Sequence, residues 1–168
     1  MKPGGAPNYS CDMSYLWLRY LHLGAAIVFV GVHGASMLVF YVIRGETDRG
    51  RIQDLLGFSA KTVIPMYVSI GLVVVTGVLV GQEIGAFRRG WGWWSLVLLA
   101  VVTILMFLIA KPIHRRIHAA CELRPSGAPR VSDEELAVIL KSPHTHLVMA
   151  IGVAGIAGLV YLMTFKPF

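Results

Sequence analysis

Charged residues are scarce in this sequence. Only 14% of its 168 residues are Asp, Glu, Lys or Arg, whereas about 25% is usual for soluble globular domains. Hydrophobic residues make up 56% of the chain, and the mean hydropathy is +0.68. This composition argues against an ordinary soluble domain and favours a membrane protein.

Cysteine and the common hydrolase motifs are also scarce. The two cysteines, Cys11 and Cys121, are expected on opposite sides of a membrane, which excludes a disulfide between them. The sequence has no nucleophile elbow, no His-Glu-x-x-His motif and no paired carboxylates inside an apolar run. Glu83 is the only acid near such a run. A hydrolase therefore has little support.

Four long apolar runs are present, at about residues 17–43, 63–81, 93–113 and 143–165. Each has the roughly 20 residues needed to cross about 30 Å of hydrocarbon as a helix. No apolar stretch precedes the first run, so we expect that run to be retained rather than cleaved. The sequence predicts an all-α fold, an integral-membrane four-helix bundle forming one domain over residues 1–168.

The distribution of Lys and Arg predicts the orientation of this bundle. Ten of the 15 lie in the two loops after the first and third runs, and five lie on the other side. The positive-inside rule then places both loops in the cytoplasm and both termini outside, in the inner (cytoplasmic) membrane of the cell. The net charge of +6 is explained by this excess beside anionic lipid, without nucleic acid. All four tryptophans fall at the outer boundary, as interface anchors do: Trp17, Trp91, Trp93 and Trp94.

Two short surface helices are expected between the spans. Ile52 and Leu56 have helical spacing within a loop of mixed charge. Ser132 with Glu135 three residues later is a capping-box signature, which predicts a helix ending near Lys141.

The first span carries two histidines, His22 and His33, within an apolar segment. Eleven residues at 100° each leave a difference of about 20°, so both imidazoles share a face, about 16 Å apart in depth. Ionisable groups in membranes usually face a bundle interior, a cavity or a cofactor. Gly24, Gly31 and Ala35 cluster on the opposite face, which predicts a close helix contact there.

The fourth span opens with two further histidines, His144 and His146, which point about 200° apart on a helix. His146 continues into a stripe of small residues through Ala150 and Ala154, so we expect it to face inward. The alternative is that both histidines are hydrated residues of the first turn.

A third group follows the third span, where His114, His118 and Cys121 are spaced i, i+4, i+7. If the helix continues past Pro112, these three share a face with plausible metal-ligand spacing. The alternative is a basic juxtamembrane extension.

Haem b is the cofactor that this pattern favours. It needs axial ligands from facing helices, with histidine the usual ligand and methionine an accepted second one, and cations for its propionates. His33 opposed by His146 or Met149 is the first pairing to consider. The depths of His33 and His146 differ by about 4–5 Å if the outer helix ends align and by about 9 Å if the inner ends align. Basic residues are available at the cytoplasmic rim: Arg44, Arg115 and Arg116.

His22 has fewer partners in the outer half of the chain. Its second ligand would be Met163, solvent, or a residue of another subunit, so one haem is favoured over two. Copper(I) handling by His22, Met13 and Cys11 is an alternative, since sulfur and imidazole ligands suit that ion.

The first span also resembles a known group of proteins. "YLWLRYLHLGAAIVFVG" followed by "MLVFYVIR" is similar to the opening helix of small four-helix membrane proteins of the HemJ, CopD-like and DUF2269 type. In these proteins an "LH" near the start of the first helix is typical, and in the HemJ group that histidine is implicated in haem binding. The resemblance implies haem binding at His22. The stretch "GASMLVFYVIRGE" lacks the further histidine of the HemJ helix, so protoporphyrinogen oxidation is not implied.

The sequence therefore predicts a membrane protein that binds haem b through His33, His146 or His22. It would transfer electrons or anchor a redox complex, as an accessory subunit more than a stand-alone enzyme. Its partners would be the lipid bilayer and other membrane subunits or further copies of itself. A cofactor-free structural subunit is the second interpretation, supported by small-residue faces at Gly77, Gly81, Gly152, Gly155 and Gly158. Copper handling ranks last.

Overall fold

The computed structural model describes the backbone of residues 9–167 and the side chains of residues 13–167. Within residues 9–167 six α-helices follow one another, with a short 3-10 turn at Ile43–Gly45 after the first. They are α1 (Tyr9–Val42), α2 (Arg49–Lys61), α3 (Val63–Glu83), α4 (Trp91–Cys121), α5 (Asp133–Leu140) and α6 (His144–Phe165). Over residues 9–167 the only β-type pairing is an isolated bridge between Leu123 and Pro129. The all-α prediction is confirmed.

Among the described residues, four helical segments are long and apolar enough to cross a membrane. They are α1, the nearly continuous α2–α3 segment, α4, and the segment that ends with α6. Two helices exceed the predicted runs. α1 begins at Tyr9, and α4 continues through Pro112 to Cys121. The extension of α4 is held by packing, because Ile117 and Cys121 are buried in the core described below.

The four long helices form two antiparallel pairs. α1 packs along α3 and α4 packs along α6, whereas contacts between the two pairs are sparse. We call the half of the bundle that holds the start of α1, the end of α6 and the turn 84–90 the terminal half. The half that holds α2, α5 and the loop 122–132 is the loop half.

The loop half contains the hydrophobic core. Its buried members come from four of the α-helices (α1, α2, α4 and α5) and the 3-10 turn: Val39, Ile43, Ile52, Leu56, Ile117, Ala120, Cys121, Leu136 and Leu140. Burial of each large apolar side chain contributes about 1.5–3 kcal/mol. The two short helices are therefore fixed onto the ends of α1 and α4 by this core.

Polar contacts fasten the same half. The Arg49 guanidinium donates to the carbonyls of Ala120 (2.9 Å) and Val131 (2.8 Å) and pairs with Asp133. The predicted capping box is confirmed, with the Ser132 hydroxyl accepting from the amide of Glu135. These contacts satisfy carbonyls and amides that helix ends leave unpaired.

In the terminal half, the tight turn 84–90 joins α3 to α4. Gly85 and Gly90 have φ values of +67° and +86°, which favour glycine. The turn folds back so that the amide of Gly92 donates to the carbonyl of Ala86 at 3.2 Å. A Cβ at Gly81 would lie only 2.9 Å from the Phe87 ring, so glycine permits this close approach.

The packed face of α1 differs from one sequence expectation. His22 contacts Thr76 of α3, and Ala25, near the same face of α1, is buried. Among the described residues, nothing lies within 4 Å of a Cβ added to Gly24 or Gly31. The prediction that the glycine face makes a close helix contact is therefore wrong, since α1 packs on α3 through its histidine face.

Candidate functional site

A cavity of about 790 Å³ lies in the terminal half, between the two helix pairs. Ligand pockets in proteins typically have volumes of about 300–1,000 Å³. Its wall is mainly apolar, with contributions from α1, α3, α4, α6 and the turn 84–90. The sparse contact between the helix pairs explains why this space remains.

His22 lines this cavity from α1. Its Nδ1 lies 3.1 Å from the hydroxyl oxygen of Thr76, a buried residue of α3. The Thr76 hydroxyl in turn donates to the carbonyl of Leu72 at 2.6 Å. These contacts hold the imidazole against α3 in one orientation.

The same contacts assign the tautomer of His22. A threonine hydroxyl has one proton, and here that proton is directed to the Leu72 carbonyl. The hydroxyl oxygen therefore accepts from Nδ1–H of His22. In the neutral ring this leaves Nε2 with a lone pair, which is the form that binds a metal.

Gly77 makes room for the His22 ring. A Cβ at position 77 would lie 2.9 Å from Cε1 and 3.3 Å from Nδ1 of His22. Gly77 also lines the cavity. The absence of a side chain at position 77 therefore allows the imidazole to lie against α3 and leaves space in the cavity beside it.

Three other side chains give the cavity its chemistry. Met163 of α6 supplies a thioether, while Arg19 and Lys166 supply positive charge. The Lys166 ammonium lies 5.8 Å from the centre of the Trp91 ring. His22 and Met163, which the sequence suggested as partners, thus line one cavity.

His33 occupies a tighter setting. Its ring stacks on Phe29 with centroids 5.6 Å apart. A Cβ at Gly152 of α6 would lie 3.0 Å from its Nε2 and 3.3 Å from the methyl carbon of Met37. The His33 ring therefore lies between α1 and α6, where the two helices approach closely at Gly152.

The structure does not bring His33 and His146 together. His33 meets α6 at Gly152, six residues beyond His146, which corresponds to about 9 Å along the helix. His146 is exposed, and the inward face of α6 runs through Thr145 and Val148 instead. The prediction that His146 leads the inward stripe is wrong, because that stripe begins one residue earlier.

The other residues proposed for this pairing lie in the loop half. Met149 borders a void of only about 20 Å³. Arg44 donates to the carbonyls of Ser142 (3.0 Å) and Lys141 (3.3 Å), so it fastens the α5–α6 connection. Arg115 is exposed on α4. The arginines expected at a haem rim are therefore at the opposite end of the bundle from the cavity.

His114, His118 and Cys121 do not converge. Cys121 is buried in the core, and His118 is exposed and lies 3.4 Å from Glu122. The half-buried His114 packs edge-on against Phe40. Among the described residues, no three His, Cys, Asp or Glu side chains are grouped as potential metal ligands.

The proposed copper ligands are only partly visible. The side chain of Cys11 lies outside the described side chains, and Met13 is exposed on the first turns of α1.

The interior glycines of α6 contact α4 of the same chain. A Cβ added at Gly155 would lie 2.7 Å from Val102, and one added at Gly158 would lie 3.0 Å from Leu98. These small-residue faces therefore serve contacts between helices of one chain.

Comparison with protein-family models, with curated proteins and with solved structures gave no match.

Three cavity-lining residues, Trp91, Arg19 and Lys166, were not predicted as site residues, nor was Thr76, which contacts His22 from α3. Thr76 had a detectable signal, because a threonine in the middle of an apolar run can act as a hydrogen-bond partner for an intramembrane histidine. The cations were counted only for orientation. Their position beside a cavity depends on the arrangement of the helices.

Proposed function

We propose that this chain is an integral-membrane protein that binds haem b in the cavity of the terminal half, where His22 would hold the iron. Its role is electron transfer, alone or as the membrane-anchor subunit of a redox complex. The observation that carries this proposal is that His22, held against α3 by its hydrogen bond with Thr76, lines a large cavity between the helix pairs. Haem supplies a one-electron redox centre when bound.

The side chains that line the cavity are of the types that bind haem in proteins. Histidine and methionine side chains both bind haem iron in proteins, so His22 and Met163 would hold the iron from α1 and α6. Apolar walls exclude water from the macrocycle. Arg19 and Lys166 offer positive charge for its carboxylates. Thr76 would raise the basicity of His22 by accepting from Nδ1–H.

This site replaces His33 and His146 as the first choice for ligands. His33 is covered by Gly152 and stacked on Phe29, so its contacts support a packing role. The likeness of the first span to the HemJ group also concerns His22 alone among the histidines.

The proposed orientation follows the positive-inside rule. The loop half, with its excess of Lys and Arg, faces the cytoplasm of a cell bounded by an inner membrane. Both termini and the mouth of the cavity are then outside. The partners are lipid and the membrane subunits, or further copies of this chain, that pass electrons to the haem.

The test is a dithionite-reduced minus oxidised spectrum of the protein purified in mild detergent, with haem per polypeptide from a pyridine haemochrome assay. We expect b-type bands at about one haem per chain. A featureless spectrum from folded protein, expressed with adequate haem supply, contradicts the proposal. That result would favour a cofactor-free structural subunit, and copper found by metal analysis instead would favour copper handling.

A further inference from the structure

The outward-facing side of α4 changes from apolar to cationic as the helix enters the loop half. Ile104 and Leu108 are 57% and 61% exposed, and the next exposed side chains on this side, Lys111 and Arg115, are positively charged. At 100° per residue, these two cations and the two apolar residues fall within an arc of about 60°. One face of α4 therefore presents apolar side chains followed by two adjacent positive charges.

The two cations lie at the depth expected of lipid phosphates. Trp94, near the start of α4, is 59% exposed, as interface anchors are. Lys111 and Arg115 follow it 17 and 21 residues later, which corresponds to about 26 Å and 32 Å along the helix. The hydrocarbon core of a bilayer is about 30 Å thick. With Trp94 at one boundary, both cations therefore reach the headgroups of the opposite leaflet.

These cations also differ from most others of the loop half in lacking an oxygen partner. Carbonyl or carboxylate oxygens accept from five arginines there: Arg44, Arg49, Arg51, Arg124 and Arg130. Among the described residues, no acid forms an ion pair with Lys111 or Arg115, and α4 itself contains no Asp or Glu. The Lys111 ammonium lies 4.7 Å from the centre of the Phe107 ring on the same helix. Both charges are therefore available to a negative group from outside the chain.

We propose that Lys111 and Arg115 bind the phosphate of an anionic phospholipid, whose acyl chains lie along Ile104 and Leu108. Residues four apart on a helix are neighbours, so both cations reach one headgroup. A soluble acidic protein would match the charge but not the apolar surface that adjoins it. This inference rests on the membrane location in the proposed function and not on haem.

Arg116 provides a matched control on the same helix. It is also exposed and, among the described residues, forms no ion pair, but it lies about 100° around the helix from Arg115. Leu98, which is on the same side of α4 as Arg116, packs against Gly158 of α6. Arg116 is therefore not aligned with Ile104 and Leu108.

The test uses full-length protein in vesicles of equal phosphatidylglycerol and phosphatidylcholine with identical oleoyl chains. After extraction in mild detergent, native mass spectrometry counts each lipid retained per polypeptide. Each Lys or Arg near a membrane surface adds about fivefold to the affinity for anionic lipid, so we expect a preference for phosphatidylglycerol of about 25-fold. Lys111→Gln and Arg115→Gln should each reduce this preference about fivefold, whereas Arg116→Gln should leave it unchanged.

The outcomes distinguish a site from general attraction to positive charge. Equal retention of the two lipids by the wild type would overturn the proposal, and so would a loss in Arg116→Gln as large as that in Arg115→Gln. Displacement of the retained lipid by excess inorganic phosphate would assign the two cations to a free anion instead.

The same measurement separates this inference from the haem proposal. A preference for phosphatidylglycerol in protein that binds no haem would support the lipid site while the proposed haem binding fails. Protein that does not enter vesicles would overturn the membrane location, and the lipid site with it.

Discussion

The two halves of the bundle differ in how closely their helices pack. In the loop half, nine buried residues and the Arg49 contacts join short helices to long ones, and the void beside Met149 is about 20 Å³. In the terminal half the helix pairs separate around a cavity of about 790 Å³. The loop half therefore holds the helices together, and the terminal half leaves a space between the two helix pairs.

The two histidines of α1 sharpen the contrast. They share one face of one helix, yet His33 is packed against Gly152 and His22 borders the cavity. The two imidazoles therefore differ in what lies beside them, although they share one face of the helix. Function is expected where packing is incomplete and the ring is nevertheless held in place, as Thr76 holds His22.

Filling the cavity should have the largest effect. Gly77→Leu places a side chain against the His22 ring and into the cavity, and overpacking of this kind costs about 1–3 kcal/mol. We expect haem affinity to fall about tenfold to a hundredfold. The measurement is haem titration of the purified variant, followed by absorbance.

The control for this change is Gly71→Leu. Gly71 is an exposed residue of α3, and among the described residues nothing lies within 4 Å of a Cβ added there. It should retain wild-type affinity. Equal loss in both variants would mean that α3 tolerates no added side chain, and the cavity would lose its special role.

Removing the hydrogen bond that orients His22 should have a smaller effect. Thr76→Val keeps the shape of the residue but leaves Nδ1–H without its acceptor. Loss of such a partner typically costs 10- to 100-fold in metal affinity, and we expect the lower end. The reduction potential should rise, because the imidazole becomes a weaker donor.

Potentiometric titration of the haem spectrum measures this shift. Ser69→Ala is the control, since Ser69 is a buried hydroxyl of α3 that donates to the carbonyl of Met66. A potential that is unchanged in Thr76→Val, or equally shifted in Ser69→Ala, argues against the assigned tautomer.

Substitutions that weaken the loop half should lower the free energy of unfolding without changing the affinity for haem. Arg49→Met removes donors to two carbonyls of the core, so the free energy of unfolding should fall by about 2 kcal/mol. Arg51→Met, at an exposed ion pair with Glu46, should cost about 0–1 kcal/mol. Thermal unfolding followed by circular dichroism measures both. Haem affinity that falls with stability in Arg49→Met would show that the halves are not independent.

Much of the fold is readable from composition and local pattern. Four apolar runs predict four long helices, and the capping box at Ser132 predicts α5. The shared face of His22 and His33 follows from helical periodicity. These features depend on residues close together in the sequence, so a single helix is enough to derive them.

The site depends on how helices meet, which one helix cannot specify. Choosing Thr145 over His146 as the inward residue is a rotation of 100° about α6, set by its contact with α4. Trp91 and its neighbours at positions 93 and 94 form one cluster in the sequence, and only the turn 84–90 decides which of them is buried. The cavity arises from the spacing of two helix pairs.

The most direct test of the central claim is haem per folded polypeptide in His22→Ala and His33→Ala, prepared in parallel with the wild type. We expect about one haem per chain in the wild type, nearly none in His22→Ala and a near-normal content in His33→Ala. Loss of haem from His33→Ala with retention in His22→Ala would contradict it, because the ligand would then lie in the packed region and not at the cavity.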